Sequence, residues 1–403
     1  MTNKNIKQCK DYFKKQQQHL ASAMAYMDSN QDGSAPMPHT IALAVNNRCF
    51  LRCVHCDVGQ SNQKGQEENF FAVRCHGSED KLFEIPLETL KGLVDEVAPY
   101  KPVIRPTFLE PLLRKDLFEL GRYVKQQGMV FNVQTNGVLL SKRYKEIVDS
   151  NVDVLRVSID GPEKIHDQIR GIPGTFKRVI RGLKLLKAYR DSQNKSHPVL
   201  GVSFVISGVN YLEIMNFMDE LKQTGLLSDV YVAFCFLRFV TKAEAALQNT
   251  LYPDFNLMTE SSTMDEERAK IDPVLFKREL NLLKSRYPSD RYHFYFNPSA
   301  MDDRDLDQWF KSEEFMYPEV TCTIPWNHCQ ILHNGDVVFN GRCCSPPLGN
   351  IRTDSFKKIW NGEIARNFRR CLLEKTNFPA CNRCGRNLDV KGNISGGDDE
   401  AIG

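Results

Sequence analysis

Between residues 40 and 236 short apolar runs alternate with amphipathic stretches, and this alternation restricts the fold more than any other feature of the chain. Runs at 40–45, 102–107, 129–134, 154–159, 199–206 and 230–236 have the length and composition of buried strands. Between them, segments 86–97, 116–127, 141–150, 176–189 and 211–224 carry apolar residues at helical spacing. Repeated strand–helix units predict a parallel sheet with helices packed outside, and right-handed crossovers leave a barrel or an open wound sheet. Six units are too few for a full eight-stranded barrel. In either architecture ligands sit at the carboxyl ends of strands, so the residues that follow each strand are the places to look for chemistry.

The first strand runs into Asn46-Asn47-Arg48-Cys49-Phe50-Leu51-Arg52-Cys53-Val54-His55-Cys56, with three thiols in eight positions. The chain has thirteen cysteines, an odd number, gathered in two places far apart. Its start, Met1-Thr2-Asn3-Lys4-Asn5, lacks the apolar core of a secretory signal, and no run of about 18 apolar residues occurs. These features predict a cytoplasmic protein off the membrane whose thiols are reduced and bind metal. Three thiolates leave one iron of a four-iron cube without a protein ligand, free to bind substrate or cofactor. The alternative is a three-cysteine zinc site completed by His55 or Asp57. A net charge of +3, with no basic run interleaved with aromatics, argues against a nucleic-acid partner.

The three-then-two cysteine spacing resembles the signature of the radical S-adenosylmethionine superfamily. That resemblance implies an α/β fold, a partial (β/α)6 TIM-like barrel, with Cys49, Cys53 and Cys56 holding a [4Fe-4S] cluster. The open iron would chelate S-adenosylmethionine through its methionine amino and carboxylate groups. Further matches follow the later strands. Phe108-Leu109-Glu110-Pro111 is similar to the family's Gly-Gly-Glu-Pro turn, with Phe108 and Leu109 where the family has glycines. Thr135-Asn136-Gly137 is similar to its Thr-Asn-Gly turn, and Ser158-Ile159-Asp160-Gly161 with Arg170-Gly171 to its Ser-x-Asp-Gly and Arg-Gly stretches. The resemblance thus implies cofactor contacts at Glu110, Pro111, Asn136, Ser158, Asp160, Arg170 and Asn210. Asp160 also suits a plain helix-capping turn, and Arg170 an ordinary ion pair. Arg238, after the sixth strand, is a candidate for the barrel mouth.

In the last third, Cys322, Pro325-Trp326, Gly335, Cys343-Cys344, Gly349-Asn350-Ile351, Trp360-Asn361 and Cys381-Asn382-Arg383-Cys384 occur in the order found in the auxiliary-cluster domains called SPASM and, in shortened form, twitch. The resemblance implies one auxiliary [4Fe-4S] cluster on Cys322, Cys343, Cys381 and Cys384, with Cys329 and Cys344 as alternates. Zinc would accept the same four thiolates.

These readings divide the chain into a helix and linker at 1–38, a barrel core at 39–240, a connecting loop and helical/strand segment at 241–318 that opens with an irregular polar loop at 241–267, a cluster domain at 319–387, and a flexible tail at 388–403. The expected activity is reductive cleavage of S-adenosylmethionine to a 5′-deoxyadenosyl radical, which removes a hydrogen atom from a substrate. A closed auxiliary cluster favours oxidation of a small polar metabolite such as a carbohydrate, aminoglycoside or nucleoside. Cys235, at a strand end, is a candidate hydrogen donor and would favour epimerisation. The alternatives are a peptide maturase and, in another class, a zinc-stabilised binding protein. Flavodoxin or ferredoxin is the expected electron donor.

Overall fold

The computed structural model describes residues 3–61, 70–76, 83–261, 270–288, 292–297, 309 and 321–384. The six expected strands form, as β1 (Thr40–Leu43), β2 (Val103–Pro106), β3 (Val130–Thr135), β4 (Val154–Ser158), β5 (Val199–Ile206) and β6 (Val230–Phe236). Each pairs in parallel with the next. Four more strands extend this sheet. β7 (Phe294–Asn297) lies parallel to β6, and β8 (His328–Ile331) lies parallel to β1 with Thr40 opposite His328. β9 (Asp336–Val338) and β10 (Gly349–Asn350) follow as antiparallel neighbours, completing the order β10-β9-β8-β1-β2-β3-β4-β5-β6-β7. The cysteine-rich segment therefore continues the barrel sheet instead of standing beside it. Paired on both edges and covered on both faces, β1 is buried at every position, which explains its unbroken apolar sequence.

Most of the apolar core lies between the sheet and the helices outside it. Helix Leu87–Val97 shows why these segments are helical: Leu90, Leu93, Val94 and Val97 are its buried residues, spaced three and four apart. A second, small apolar cluster of Val154, Val199, Tyr231 and Ala233 fills the inner, concave side, with Cys235 and Tyr295 packed against it. Gly201 on β5 makes this packing possible. A Cβ there would fall 2.2 Å from the ring of Tyr231.

Of the two connecting segments, one expectation is corrected, that of an irregular loop throughout 241–267. The linker after helix α1 (Asn3–Ser29) is pinned to the C-terminal region: Trp360 Nε1 donates to Pro36 O at 2.7 Å and Arg369 Nη1 to Gly33 O at 3.1 Å. The polar loop at 241–267 contains a helix, Lys242–Leu251. Thr241 and Glu244 close a capping box at its start, with Thr241 N–H donating to Glu244 and Glu244 N–H donating back to Thr241 Oγ1. Residues 262–267 of that loop and the tail at 388–403 lie outside the described residues. Among the described residues no helix is long and apolar enough to cross a membrane.

The helix after β4, Glu163–Arg170, carries the fully buried His166. Its Nδ1 accepts the Asp160 N–H at 3.2 Å, and burial, with Arg170 adding to it, pushes its pKa down to about 4 from 6.5. The neutral imidazole is thus the folded form, while the unfolded chain takes up a proton below pH 6.5. Stability should be full above that pH and be lost as pH falls from 6.5 to about 4, by about 2 kcal/mol at pH 5. Unfolding midpoints at pH 7 and pH 5 should show this loss in the wild type and a smaller one in His166→Asn.

Candidate functional site

The cysteine loop leaves β1 and is held by the end of helix Glu163–Arg170. Arg52 N–H donates to Arg170 O at 3.2 Å and Val54 N–H to Ile169 O at 2.9 Å, so the last carbonyls of that helix find their partners in the loop. Gly171 then turns the chain with φ +70°. A Cβ there would fall 2.6 Å from Arg52 O, so the close approach and the left-handed backbone both require glycine. Two side chains aim donors at sulfur: Arg170 Nη1 lies 3.6 Å from Cys53 Sγ and Asn136 Nδ2 lies 3.9 Å from Cys49 Sγ. Burial raises the Cys49 and Cys56 thiols and pushes Cys53 up to about 11, so a metal is needed to hold them as thiolates near neutrality.

Behind this loop sits Asp160, fully buried at the end of β4. Its carboxylate pairs with Arg170, lies 3.7 Å from His55 Nε2 and accepts the Val205 N–H at 2.9 Å. Burial pushes the Asp160 pKa up, but Arg170, His55 and His166 outweigh it and hold the group below the usual carboxylate value. Asn210 completes the frame. It donates to Asp160 O and Val205 O, each at 2.8 Å, while its Oδ1 accepts from Ser207 N–H at 2.8 Å.

Glu110 is an equally buried tie on the opposite side. Its carboxylate accepts from Leu112 N–H at 2.9 Å, Thr135 Oγ1 at 2.7 Å and Asn136 N–H at 2.8 Å, and its backbone oxygen accepts from Asn46 Nδ2 at 3.0 Å. Burial raises its pKa to about 7 against these donors. The residues before it, Phe108 and Leu109, adopt φ +68° and +55°. The chain thus makes a left-handed turn without glycine, at a cost of roughly 1–2 kcal/mol per residue.

All three loop cysteines line one cavity of about 370 Å³, together with Asn136, Ser158, Arg170, Cys235, Arg238, Phe108 and Leu109. Glu110, Pro111, Asp160 and Asn210, expected to touch the cofactor, are not in this wall; they are buried behind it and shape the turns that form it. Sequence reasoning missed Arg105, Arg156 and Tyr295, which also line it. A signal was present: Val103-Ile104-Arg105-Pro106 and Val154-Leu155-Arg156-Val157-Ser158 each place an arginine inside an otherwise apolar strand.

A second cavity is lined by Cys322, Cys343, Cys344, Cys381 and Cys384. The alternate Cys329 is not in its wall; it lies in β8, opposite Ile41. Asn340 and Arg342 line both cavities, and Arg342 Nη2 pairs with Asp57, next to Cys56, at 2.6 Å. Arg74 holds the same segment, donating to Cys343 O at 2.6 Å and Ser345 O at 2.8 Å.

A parallel partial barrel whose first strand delivers three thiols to the cavity at its strand ends is the architecture of a radical S-adenosylmethionine domain, and residues 43–221 match the model of the Radical SAM superfamily. Residues 322–385 match the SPASM iron–sulfur cluster-binding domain, so the chain is that of a radical S-adenosylmethionine enzyme with a C-terminal SPASM domain. The Fe-coproporphyrin III synthase of Methanosarcina barkeri is 26% identical over 253 residues, 61% of this chain and 53% of that protein. The AdoMet-dependent heme synthase of the same organism is 31% identical over 194 residues, 47% of this chain and 49% of that protein. The chain thus spans about half the length of the curated relatives it matches. Streptococcus suis SuiB bound to S-adenosylmethionine shares the fold, with a TM-score of 0.55 at 14% identity over 91% of this chain and 77% of that one. Three thiols in one cavity, two of them with N–H donors directed at sulfur, fit a [4Fe-4S] cluster with S-adenosylmethionine at its open iron. The thiols of the second cavity fit an auxiliary cluster.

Asp160→Asn would leave the Arg170 charge without its buried counter-ion. The expected cost is about 3–5 kcal/mol, read as a lower thermal unfolding temperature together with loss of iron from the cysteine loop. Full iron loading at an unchanged unfolding temperature would show that the loop does not depend on Asp160.

Proposed function

We propose that this enzyme removes one hydrogen atom from a small polar metabolite, such as a carbohydrate, aminoglycoside or nucleoside, and completes a net oxidation. The observation that carries this reading is the adjacency of the two cavities: the one lined by Cys49, Cys53 and Cys56 shares Asn340 and Arg342 with the one lined by the SPASM thiols. When bound, the first cluster and S-adenosylmethionine supply reductive cleavage and hydrogen-atom removal, and the second cluster supplies an electron acceptor.

The protein's own residues prepare the site. Cys49, Cys53 and Cys56 hold the first cluster; Asn136, Ser158 and Arg170 face the cofactor; Cys322, Cys343, Cys381 and Cys384 hold the second, with Cys344 able to replace Cys343. Leu51, Val58, Phe71, Phe108, Leu109 and Leu237 supply apolar wall that excludes water and stray hydrogen donors. The working environment is the cytoplasm, with flavodoxin or ferredoxin as the reductant.

Cys235 supports a second reading. Its Sγ lies 3.9 Å from Ser203 Oγ in the wall of the larger cavity, where the thiol could return a hydrogen atom to the substrate and give epimerisation instead of oxidation. A peptide substrate is the further alternative, since SuiB has been seen with its precursor peptide SuiA.

Anaerobically reconstituted protein should hold about eight irons and form 5′-deoxyadenosine when reduced with dithionite in the presence of S-adenosylmethionine. Cys53→Ala should reduce that formation to background, whereas Cys381→Ala should retain it and lose substrate product. A preparation that takes up zinc alone, or equal loss in both variants, would overturn the assignment.

A further inference from the structure

Glu244 does more than close the capping box at the start of helix Lys242–Leu251. One carboxylate oxygen, Oε2, accepts the Thr241 N–H at 2.9 Å, while the other, Oε1, pairs with Arg383. Both members of this ion pair are buried. Arg383 stands inside the Cys381-Asn382-Arg383-Cys384 knuckle, whose two thiols line the smaller cavity. Its Nε donates to Trp309 O at 2.7 Å, and its guanidinium carbon lies 5.3 Å from the centre of the Phe239 ring.

One turn further along the same helix, the fully buried Gln248 accepts at Oε1 the N–H of Ala380, the residue before Cys381, at 3.3 Å. Residues four apart share a helix face, so Glu244 and Gln248 together grip the chain at the knuckle. Past the helix, Asn256 N–H donates to Cys344 O at 3.1 Å, which ties the same segment to the other thiol-bearing stretch. At its start the segment follows directly on Phe236, Leu237 and Arg238 in the wall of the larger cavity. The first cluster site has a similar plan, since Arg170 beside Cys53 is paired with the buried Asp160. A paired and hydrogen-bonded buried charge fixes the chain that carries it, because displacement strands the charge.

We propose that Glu244 is a positioning residue for the auxiliary cluster: through Arg383 it holds Cys381 and Cys384 in ligating position, and its charge lowers the reduction potential of that cluster. This rests on the auxiliary-cluster reading above. A carboxylate close to a cluster opposes the arrival of an electron, and burial leaves the effect poorly screened.

Full-length wild type and Glu244→Gln, reconstituted anaerobically, are compared by iron content, by redox titration followed by electron paramagnetic resonance, and by unfolding temperature. The variant should either fall from about eight irons to about four, or keep the second cluster with its midpoint moved to more positive potential. Formation of 5′-deoxyadenosine should persist in both cases. Thr241→Val removes the hydroxyl of the same capping box and leaves the Glu244–Arg383 pair, so it should lower the unfolding temperature without moving the second midpoint. An unshifted midpoint with full iron in Glu244→Gln, or an equal effect in Thr241→Val, overturns the proposal. If Glu244→Gln fails to fold, Glu244→Asp carries the test, since the shorter acid cannot span Thr241 N–H and Arg383: it should lose auxiliary iron first, and full iron at the wild-type midpoint overturns the proposal. A wild type that holds only about four irons would remove the auxiliary-cluster reading instead. The knuckle is then tested in the metal-free full chain, where iodoacetamide should label Cys381 and Cys384 faster in Glu244→Gln while labelling of Cys49 is unchanged; equal rates in the two proteins overturn the positioning role.

Discussion

A carboxylate removed from water at the end of β4 is the constraint on which the rest of the site depends. Asp160 remains ionised in that position because Arg170, His55 and the Val205 amide converge on it. Each partner belongs to a different piece of the molecule, Arg170 to the following helix, His55 to the cysteine loop and Val205 to β5. The charge that must be compensated therefore also sets the relative placement of all three. Arg170 reaches past the carboxylate to the Cys53 sulfur, so the same guanidinium balances a protein anion and faces the cluster site. Glu110 does the corresponding work on the other flank, joining the turns after β2 and β3 to Asn46 in the cysteine loop. The two buried acids are the frame; the residues between them line the larger cavity.

Two arginines of the cavity wall are tied in the same manner. Arg170 and Arg342 are committed to acids beside the cysteine loop, and Arg342 also separates the two cavities while lying 4.1 Å from the centre of the Phe71 ring. That arginine sits in the Asn340-Gly341-Arg342 segment just before Cys343, and Asn340 and Arg342 of this segment line both cavities.

Much of this was legible in the sequence, because the dominant signals were local. The six strands of the barrel were apolar runs of the right length, and the three-thiol loop followed the first of them as the family pattern implies. What was missed depended on distant partners. β7 is four residues long, Phe294–Asn297, and it becomes a strand by pairing with β6. β8 was hidden among the landmarks of the cluster domain, and no local pattern announces that it pairs with β1. The helix Lys242–Leu251 is a different kind of miss. Its Thr241-x-x-Glu244 capping box was readable, but the Asn, Pro and Ser residues that follow made the whole stretch look like a loop. Asn210 was expected to meet the cofactor, yet its amide is spent on the turn that shapes the site. The turn at Phe108 and Leu109 takes left-handed backbone without glycine, beside the buried and hydrogen-bonded Glu110.

The pairing of β1 with β8 bears on how the protein is made. The strand that launches the cysteine loop is synthesised well before its outer neighbour, which lies opposite it from Thr40 and His328 onward. Until then β1 presents an open strand edge, and closing so long a loop is slow because its entropy is lost before the contacts form. The late strand β8 thus closes the edge of the very strand that carries the three-thiol loop.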